Sequence, residues 1–222
     1  MLLAEALSFV ASRAVSPDAA AAPSVSPSPA TGDTSGRRVV WLIVIGAALL
    51  RGWLAVGDHG IYWPDEIYQS LEQAHRVAFG DGMLPWEFRE GARSWLLPGA
   101  IAGLWRLAAA LGVESSLTLV VLARLCMVLA SSASIWLAAR IAEHIAGVRA
   151  ACVAALVLAV SPLSVVLGYR ALSETASAPL VALSALYVLR RSPRGAALAG
   201  GAIALASLLR YQNGLFALTF AG

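Results

Sequence analysis

The chain has 222 residues, of which 59% are apolar and 13% are charged, and its mean hydropathy is +0.75. Soluble globular domains carry about 25% charged residues, so this composition excludes an ordinary soluble domain. All 16 basic residues are arginine. They stand mainly between apolar runs, where they signal membrane topology and not a nucleic-acid surface. We therefore expect an all-α fold, a polytopic bundle of membrane helices.

Residues 1–36 are rich in alanine, serine and proline and show no sustained hydrophobic period. This composition predicts a disordered tail, which we place in the cytoplasm. Residues 37–222 form the predicted transmembrane module. Its apolar runs cover residues 39–56, 94–112, 117–139, 148–168, 176–189 and 196–209. A further apolar run reaches the end of the sequence at Gly222, so we interpret the chain as the N-terminal part of a longer membrane protein.

The predicted topology depends on whether residues 94–112 cross the membrane. This run is short, and it contains Pro98 and Arg106. Three arginine clusters flank the other runs: Arg37 with Arg38, Arg140 with Arg149, and Arg190 with Arg191 and Arg194. The positive-inside rule places all three in the cytoplasm only if residues 94–112 lie along the interface. We therefore predict an exoplasmic acidic loop at residues 58–116. In the alternative, this run crosses and the last cluster lies outside.

Residues 63–93 of the acidic loop carry six carboxylates: Asp65, Glu66, Glu72, Asp81, Glu87 and Glu90. Pro64 suits a first helical turn, and the two acids that follow it suit the positive end of the helix dipole. The period that follows predicts an amphipathic helix in the membrane interface. Its apolar stripe is Ile67, Leu71, Ala74 and Ala78, and its polar stripe is Asp65, Gln69, Glu72 and Arg76. Alternatively, the first two acids are only dipole partners.

Two further polar groups interrupt or border apolar runs. Arg170 and Glu174 stand four residues apart, and Arg210 precedes Gln212 and Asn213. Polar side chains at membrane depth normally face a cavity or a protein partner. The alternatives are an Arg170–Glu174 pair on one helical face and an interfacial charge at Arg210.

The acidic loop resembles the first luminal loop of glycosyltransferase family 22, the polyprenol-phosphate-mannose-dependent mannosyltransferases that extend GPI anchors and lipid-linked oligosaccharides. The family pattern is approximately H-P-D-E-x-x-Q-S-L-E-x-x-H, then F-x-x-G, T-W-E-W and R-S. The matching positions are Pro64, Asp65, Glu66, Gln69, Ser70, Leu71, Glu72, His75, Phe79, Gly82, Trp86, Glu87, Arg93 and Ser94. Trp63 stands where the family has histidine, and Pro85 replaces a threonine. The segment from Arg170 to Glu174 resembles the family's R-T-x-(S/T)-N-x-x-E pattern more weakly.

The resemblance implies a GT-C fold and inverting transfer of a hexose, mannose, from a polyprenyl-phosphate sugar to a glycan or glycolipid hydroxyl. A hydroxyl nucleophile needs a carboxylate base, for which Asp65 is the candidate and Glu66 the alternative. The departing phosphate needs guanidinium donors, for which Arg93, Arg170 and Arg210 are candidates. The other candidate substrate-binding residues are Gln69, Glu72, His75, Trp86, Glu87, Glu174, Gln212 and Asn213.

We expect no metal and no other cofactor, because a monophosphate donor does not oblige one and no metal-type ligand cluster is visible. Cys126 and Cys152 fall inside apolar runs, where they act as small apolar residues. The expected partners are membrane lipids, the lipid-linked donor and the glycan or glycolipid acceptor. The alternative functions are a transporter or flippase of a lipid-linked or anionic solute, and an inactive membrane fragment.

The exclusive use of arginine and the abundance of alanine indicate a GC-rich genome. We therefore expect a bacterial plasma membrane with the active site on its exoplasmic face. In a eukaryote, the membrane of the endoplasmic reticulum is the alternative.

Overall fold

A computed structural model of the chain describes residues 34–190 and 192–220. Within these ranges every regular element is a helix, which confirms the all-α prediction. The predicted disordered tail lies outside the described residues, except that residues 34–36 already belong to the first helix.

The described helices follow one another with short connections. The first part contains α1 (Thr34–Gly57), α2 (Pro64–Glu66), a π-helical turn (Ile67–Leu71), α3 (Glu72–Phe79), α4 (Trp86–Arg89) and α5 (Leu96–Ala110). The second part contains α6 (Ser116–Val160), α7 (Pro162–Leu167), α8 (Ser173–Leu189), α9 (Pro193–Leu209), a 3₁₀ turn (Tyr211–Gly214) and α10 (Leu215–Phe220). The helix α2, the π-helical turn and α3 run on without a break, and we name them together the loop helix.

Two helices in the described part of the chain, α1 with 24 residues and α6 with 45, are long and apolar enough to cross a membrane. The helices α5, α8 and α9 are shorter but also apolar. A membrane span needs about 20 predominantly apolar residues in a helix, because no water is present to satisfy the backbone. These elements identify an all-α membrane helical protein, as the composition predicts.

The helix α6 reverses direction at Gly147, whose φ of 82° and ψ of −179° are non-helical. A positive φ is accessible to glycine at little cost, because glycine has no Cβ. The two halves of α6 flank α1: Arg37 on α1 bonds Glu143 in the first half, and the carbonyl of Gly36 accepts from Cys152 in the second. The first half contains the predicted apolar run at residues 117–139. The predicted run at residues 148–168 is divided between the second half of α6, which ends at Val160, and α7.

The bundle has two ends with different chemistry. At the basic end, Arg37, Arg140 and Arg190 line one cavity, so each of the three predicted arginine clusters contributes to it. At the opposite, loop end, Arg124 near the start of α6 contacts Asp58 just after α1. The segment between α1 and α6 therefore leaves and re-enters the bundle at the same end. The side of the membrane that each end faces stays a prediction.

The helix α5 packs against the loop helix and the start of α6. Arg106 donates hydrogen bonds to the carbonyl oxygens of Val77 (2.8 Å) and Ala78 (3.1 Å) at the end of α3. Trp105 Nε1 donates to the carbonyl oxygen of Leu119 at 2.6 Å. Arg106, the charge inside this apolar run, thus satisfies carbonyl groups that a helix end leaves without a partner.

Candidate active site

Glu66, in the first turn of the loop helix, is fully buried. Its Oε1 accepts hydrogen bonds from Arg124 Nε and Ala171 N, each at 3.2 Å. Its Oε2 accepts from Arg170 Nη1 at 3.0 Å. A carboxylate stays charged in the interior only when it is paired and hydrogen-bonded in this way. Glu66 therefore joins the loop helix to α6 and to the segment that precedes α8.

Arg124 is an ionisable residue inside the apolar run at residues 117–139, and it is fully buried. Besides Glu66, it donates to the carbonyl oxygens of Asp58 and Gly60, the latter at 2.7 Å. These bonds fix the turn that leads from α1 to the loop helix. The sequence-based site prediction missed Arg124, although an isolated charge within a membrane span is a signal for a functional or structural partner.

Asp58 completes this group of charges. Its Oδ2 accepts from Tyr169 Oη at 2.8 Å and from Arg170 Nη2, and its Oδ1 accepts from Gly60 N at 3.0 Å. Burial by itself raises the pKa of Asp58, but these hydrogen bonds and the charges of Arg170 and Arg124 outweigh it, so that its pKa lies below the usual value. Burial, and then the bond to Asp58, raise the pKa of Tyr169.

Two carboxylates, two guanidinium groups and one phenol thus form a charge-balanced assembly, which we name the buried ion cluster: Asp58, Glu66, Arg124, Tyr169 and Arg170. It gathers residues from three parts of the chain that lie up to 112 positions apart. Such a cluster rigidifies the loop end, because removal of one charge leaves another buried without a partner.

Arg170 was predicted as a ligand of the donor phosphate, but it is only 3% exposed. Both of its Nη atoms donate within the buried ion cluster and to Gly60 O. The alternative pairing of Arg170 with Glu174 is wrong, because α8 begins at Ser173 and the two side chains do not share a helical face. In this structure Arg170 holds the cluster together and presents no free Nη to a ligand.

Asp65 lies in the opposite environment from the adjacent Glu66. Its carboxylate is exposed, and Gln69 Nε2 donates to its Oδ1 at 2.8 Å. The π-helical turn Ile67–Leu71 follows directly, and such turns are frequent at functional sites. The structure therefore separates the two predicted catalytic acids into an accessible carboxylate and a buried anchor.

The predicted apolar stripe of the loop helix is buried in part. Leu71 and Ala74 belong to the core, but the same buried face also carries Glu66, Ser70 and Gln73. Periodicity alone missed these polar positions because it assigns burial by hydrophobicity, whereas the bundle provides partners such as the carbonyl oxygen of Met83 for Gln73.

Glu72 and His75 line a cavity of about 520 Å³ between the loop helix, α5 and α6. Glu72 Oε1 accepts from the backbone N–H of Met83 at 2.8 Å, and His75 Nδ1 lies 3.0 Å from the carbonyl oxygen of Asp81. Most other walls are apolar and include Trp105. The cavity combines an apolar body with a few polar groups, as small-molecule sites do.

Trp86, Glu87 and Arg93 lie in and after the short helix α4. Glu87 Oε2 is 3.5 Å from Arg93 Nε, so this ion pair is local to the loop. The ring of Trp86 is exposed, whereas Phe88 packs on Trp95 with ring centroids 4.6 Å apart. Arg93 therefore stands as a partly exposed guanidinium, and Trp86 as an open aromatic face.

Arg210 and Glu174 form an ion pair at the loop ends of α9 and α8. Both line a cavity of about 650 Å³ that also includes Asn213 and the apolar side chains of Val181 and Phe216. Asn213 is buried and donates to the carbonyl oxygen of Ala206 at 3.0 Å. The polar groups stand at one end of the cavity, and apolar residues of α8 continue from them.

Gln212, the remaining predicted site residue, lies beside this group in the 3₁₀ turn after α9. Its Oε1 is buried without a hydrogen-bond partner among the described residues. In the same ranges, 34–190 and 192–220, no three His, Cys, Asp or Glu side chains gather as a metal site requires. The expectation that the protein uses no metal stays a prediction.

Comparison with known proteins shows one family. Residues 41–221 match the Alg9-like mannosyltransferase family. The chain is 48% identical over 73 residues to GPI mannosyltransferase 3 of Drosophila melanogaster, which is 33% of this chain and 13% of that protein. It is 35% identical over 95 residues to GPI mannosyltransferase 3 of Yarrowia lipolytica, which is 43% of this chain and 19% of that protein.

A human relative, GPI alpha-1,2-mannosyltransferase 3, is 32% identical over 102 residues, which is 46% of this chain and 18% of the relative. The matched parts thus cover less than a fifth of the length of each of the three relatives. No solved structure matches the chain. The three relatives are eukaryotic proteins and give the predicted bacterial origin no support.

Proposed function

Because the chain belongs to the Alg9-like mannosyltransferase family, we propose that the full protein transfers a hexose, mannose, from a polyprenyl-phosphate donor to a glycan or glycolipid hydroxyl. The transfer inverts the anomeric carbon, because the hydroxyl attacks opposite the departing phosphate. The names of the relatives support a GPI-type glycolipid as acceptor. The observation that carries the proposal is the contrast between two adjacent carboxylates, exposed Asp65 and buried Glu66.

Asp65 is the proposed general base. A sugar hydroxyl is a weak nucleophile, so a carboxylate must accept its proton as the bond to the anomeric carbon forms. Asp65 is exposed at the loop end, and the amide of Gln69 orients one of its oxygens while the carboxylate stays accessible. Glu66 is unsuited to this role because both of its oxygens accept hydrogen bonds from Arg124, Arg170 or Ala171. Glu66 instead fixes the helical turn on which Asp65 stands.

Arg210 is the proposed ligand of the donor phosphate, in preference to Arg170. Its guanidinium is partly exposed and lines the cavity of about 650 Å³, whose apolar wall along α8 suits a hydrocarbon chain. A phosphate monoester leaving group gains from guanidinium donors as its charge develops. Glu174 holds Arg210 in place before the donor binds. The phosphate would take over part of this pairing.

The acceptor is proposed to bind beside the other cavity, where Glu72 and His75 supply polar groups. Sugar hydroxyl groups need such directed acceptors and donors, and the exposed ring of Trp86 offers an apolar face for a sugar ring. Arg93, paired with Glu87, is the remaining candidate for a charged group of either substrate.

The experiment that tests this function is mass spectrometry of lipid-linked glycans and glycolipids from cells that lack the gene. We expect one glycolipid to lose a single hexose and its precursor to accumulate. Complementation with the full-length gene should restore the hexose. A complete set of glycolipids that is instead retained on the wrong membrane face would support the transporter and contradict the transferase.

A further inference from the structure

The basic end of the bundle contains a cavity of about 190 Å³ that takes no part in the proposed reaction. It lies at the end of the bundle opposite the buried ion cluster, where α1, α6 and α8 meet. Its charged walls are Arg37 from α1, Arg140 and Glu143 from α6, and Arg190 from the end of α8. Three guanidinium groups from three helices thus converge on one space.

The charge of this cavity is unbalanced. Glu143 Oε1 accepts from Arg37 Nε at 2.8 Å, and its Oε2 accepts from Arg140 Nη1. Glu143 is the one carboxylate among the described residues that line the cavity, so two positive charges remain in excess. Arg190 packs its guanidinium over the ring of Tyr187, 5.2 Å from the centroid. The cavity is therefore set up to receive an anion.

The surroundings of the cavity are apolar and aromatic. Trp41 and Trp136 line it, with ring centroids 5.9 Å apart, and Trp41 is 52% exposed. On the same helix, Leu42 and Ile45 follow Trp41 by one and four residues and are also strongly exposed. Tryptophan is typical of the membrane–water interface, and exposed aliphatic side chains on a spanning helix face lipid tails. When the bound anion is a lipid headgroup, the acyl chains of that lipid can therefore contact these apolar side chains.

We propose that this cavity binds the headgroup of an anionic phospholipid. The phosphate of the lipid lies between Arg37, Arg140 and Arg190. The acyl chains of the lipid lie along α1 beside Trp41 and Leu42. Basic pockets between membrane helices recognise such headgroups through charge-assisted hydrogen bonds. Glu143 holds Arg37 and Arg140 together in the absence of lipid and competes with the phosphate for them. We therefore expect this end of the protein to retain an acidic lipid in preference to a zwitterionic one.

The test is native mass spectrometry of the full-length protein purified in detergent and exposed to phosphatidylserine or phosphatidylcholine. We expect wild-type protein to retain one phosphatidylserine in preference to phosphatidylcholine. Arg140→Gln and Arg37→Gln should each weaken retention about fivefold. Arg38→Gln is the matched control, because Arg38 is exposed at the same end of α1 but does not line the cavity. It should retain the lipid as wild type does.

Glu143→Gln keeps the proposal testable if the arginine variants fail to fold. It removes the competing carboxylate and should strengthen retention of phosphatidylserine. Equal losses in Arg38→Gln and Arg140→Gln would show a general surface charge effect and overturn the site. So would weaker retention in Glu143→Gln, or full displacement of the lipid by millimolar inorganic phosphate, which would identify a free-anion site.

Discussion

Glu66 and Arg170 lie 104 residues apart in the chain, yet Arg170 Nη1 donates to Glu66 Oε2 at 3.0 Å within the bundle. This ion pair joins the start of the loop helix to the turn before α8. Both partners were predicted as site residues, one as a catalytic acid and the other as a phosphate ligand. Their burial and mutual pairing support a shared structural role, which under the proposed function is to fix the helical turn that carries the exposed Asp65.

Arg124→Gln should destabilise the folded protein strongly. The substitution leaves Glu66 buried with one cationic partner fewer, and removing one member of a buried ion pair costs about 3–5 kcal/mol. The measurement is thermal unfolding of full-length protein in detergent. Arg76→Gln, at an exposed position of the loop helix, is the control and should change stability little. An unchanged unfolding temperature for Arg124→Gln would contradict the anchoring role.

Arg210→Lys should raise the KM for the lipid-linked donor and leave thermal stability near that of wild type. An ammonium group keeps the charge but cannot reproduce the guanidinium fork on a phosphate. Arg170→Lys should instead lower stability, because Arg170 is buried within the ion cluster. Comparing donor KM and unfolding temperature for both variants separates the two roles. The opposite pattern would restore Arg170 as the phosphate ligand.

Asp58 should make the fold sensitive to acid. Its pKa is lowered in the folded protein because, although burial opposes this, hydrogen bonds and the two arginine charges prevail. A lowered folded pKa means that its contribution to stability is present above the usual pKa of about 3.8 and is lost as pH falls below it. When the pH is lowered from about 5 to about 3, the free energy of unfolding should fall less for Asp58→Asn than for the wild-type protein. Parallel curves would show that Asp58 makes no such contribution.

The topology is tested by cysteine labelling in a variant in which Cys126 and Cys152 are replaced by alanine. Asp81→Cys at the loop end should react with an impermeant reagent from outside. His144→Cys at the basic end should react only after permeabilisation, because arginine clusters favour the cytoplasmic side. Labelling of His144→Cys in intact cells would overturn the predicted sidedness.

Much of this fold follows from the sequence, because hydrophobic runs and arginine clusters report membrane helices directly. The apolar run at residues 117–139 lies in the first half of α6, and Gly147 supplies the turn to the second half. The run predicted at residues 148–168 is broken before Pro162, where α6 has ended and α7 begins. Two members of the predicted apolar stripe, Leu71 and Ala74, are buried in the core of the bundle. These successes rest on local signals, which a single sequence carries.

The partners of the charged residues could not be predicted, because they depend on contacts across the bundle. Nothing in the local pattern pairs Arg170 with Asp58 rather than with Glu174, which is only four residues away. The same limit hid Arg124, whose acceptors lie in the turn after α1. Asp65 and Glu66 look equivalent in the sequence, and only the fold assigns one to solvent and the other to the interior.

The most direct test of the account is the turnover of full-length Asp65→Asn, measured with a polyprenyl-phosphate mannose donor and compared with Glu66→Gln. Because Asp65 is exposed, its replacement should leave folding near normal. Because Asp65 is the proposed general base, transfer should fall by about 10²–10⁴-fold. Glu66→Gln should reduce stability, because it breaks buried bonds to Arg124 and Arg170. If Asp65 were only a helix-dipole partner, Asp65→Asn would cost about 0.3–1 kcal/mol of stability. Normal turnover of a folded Asp65→Asn enzyme would contradict the central claim.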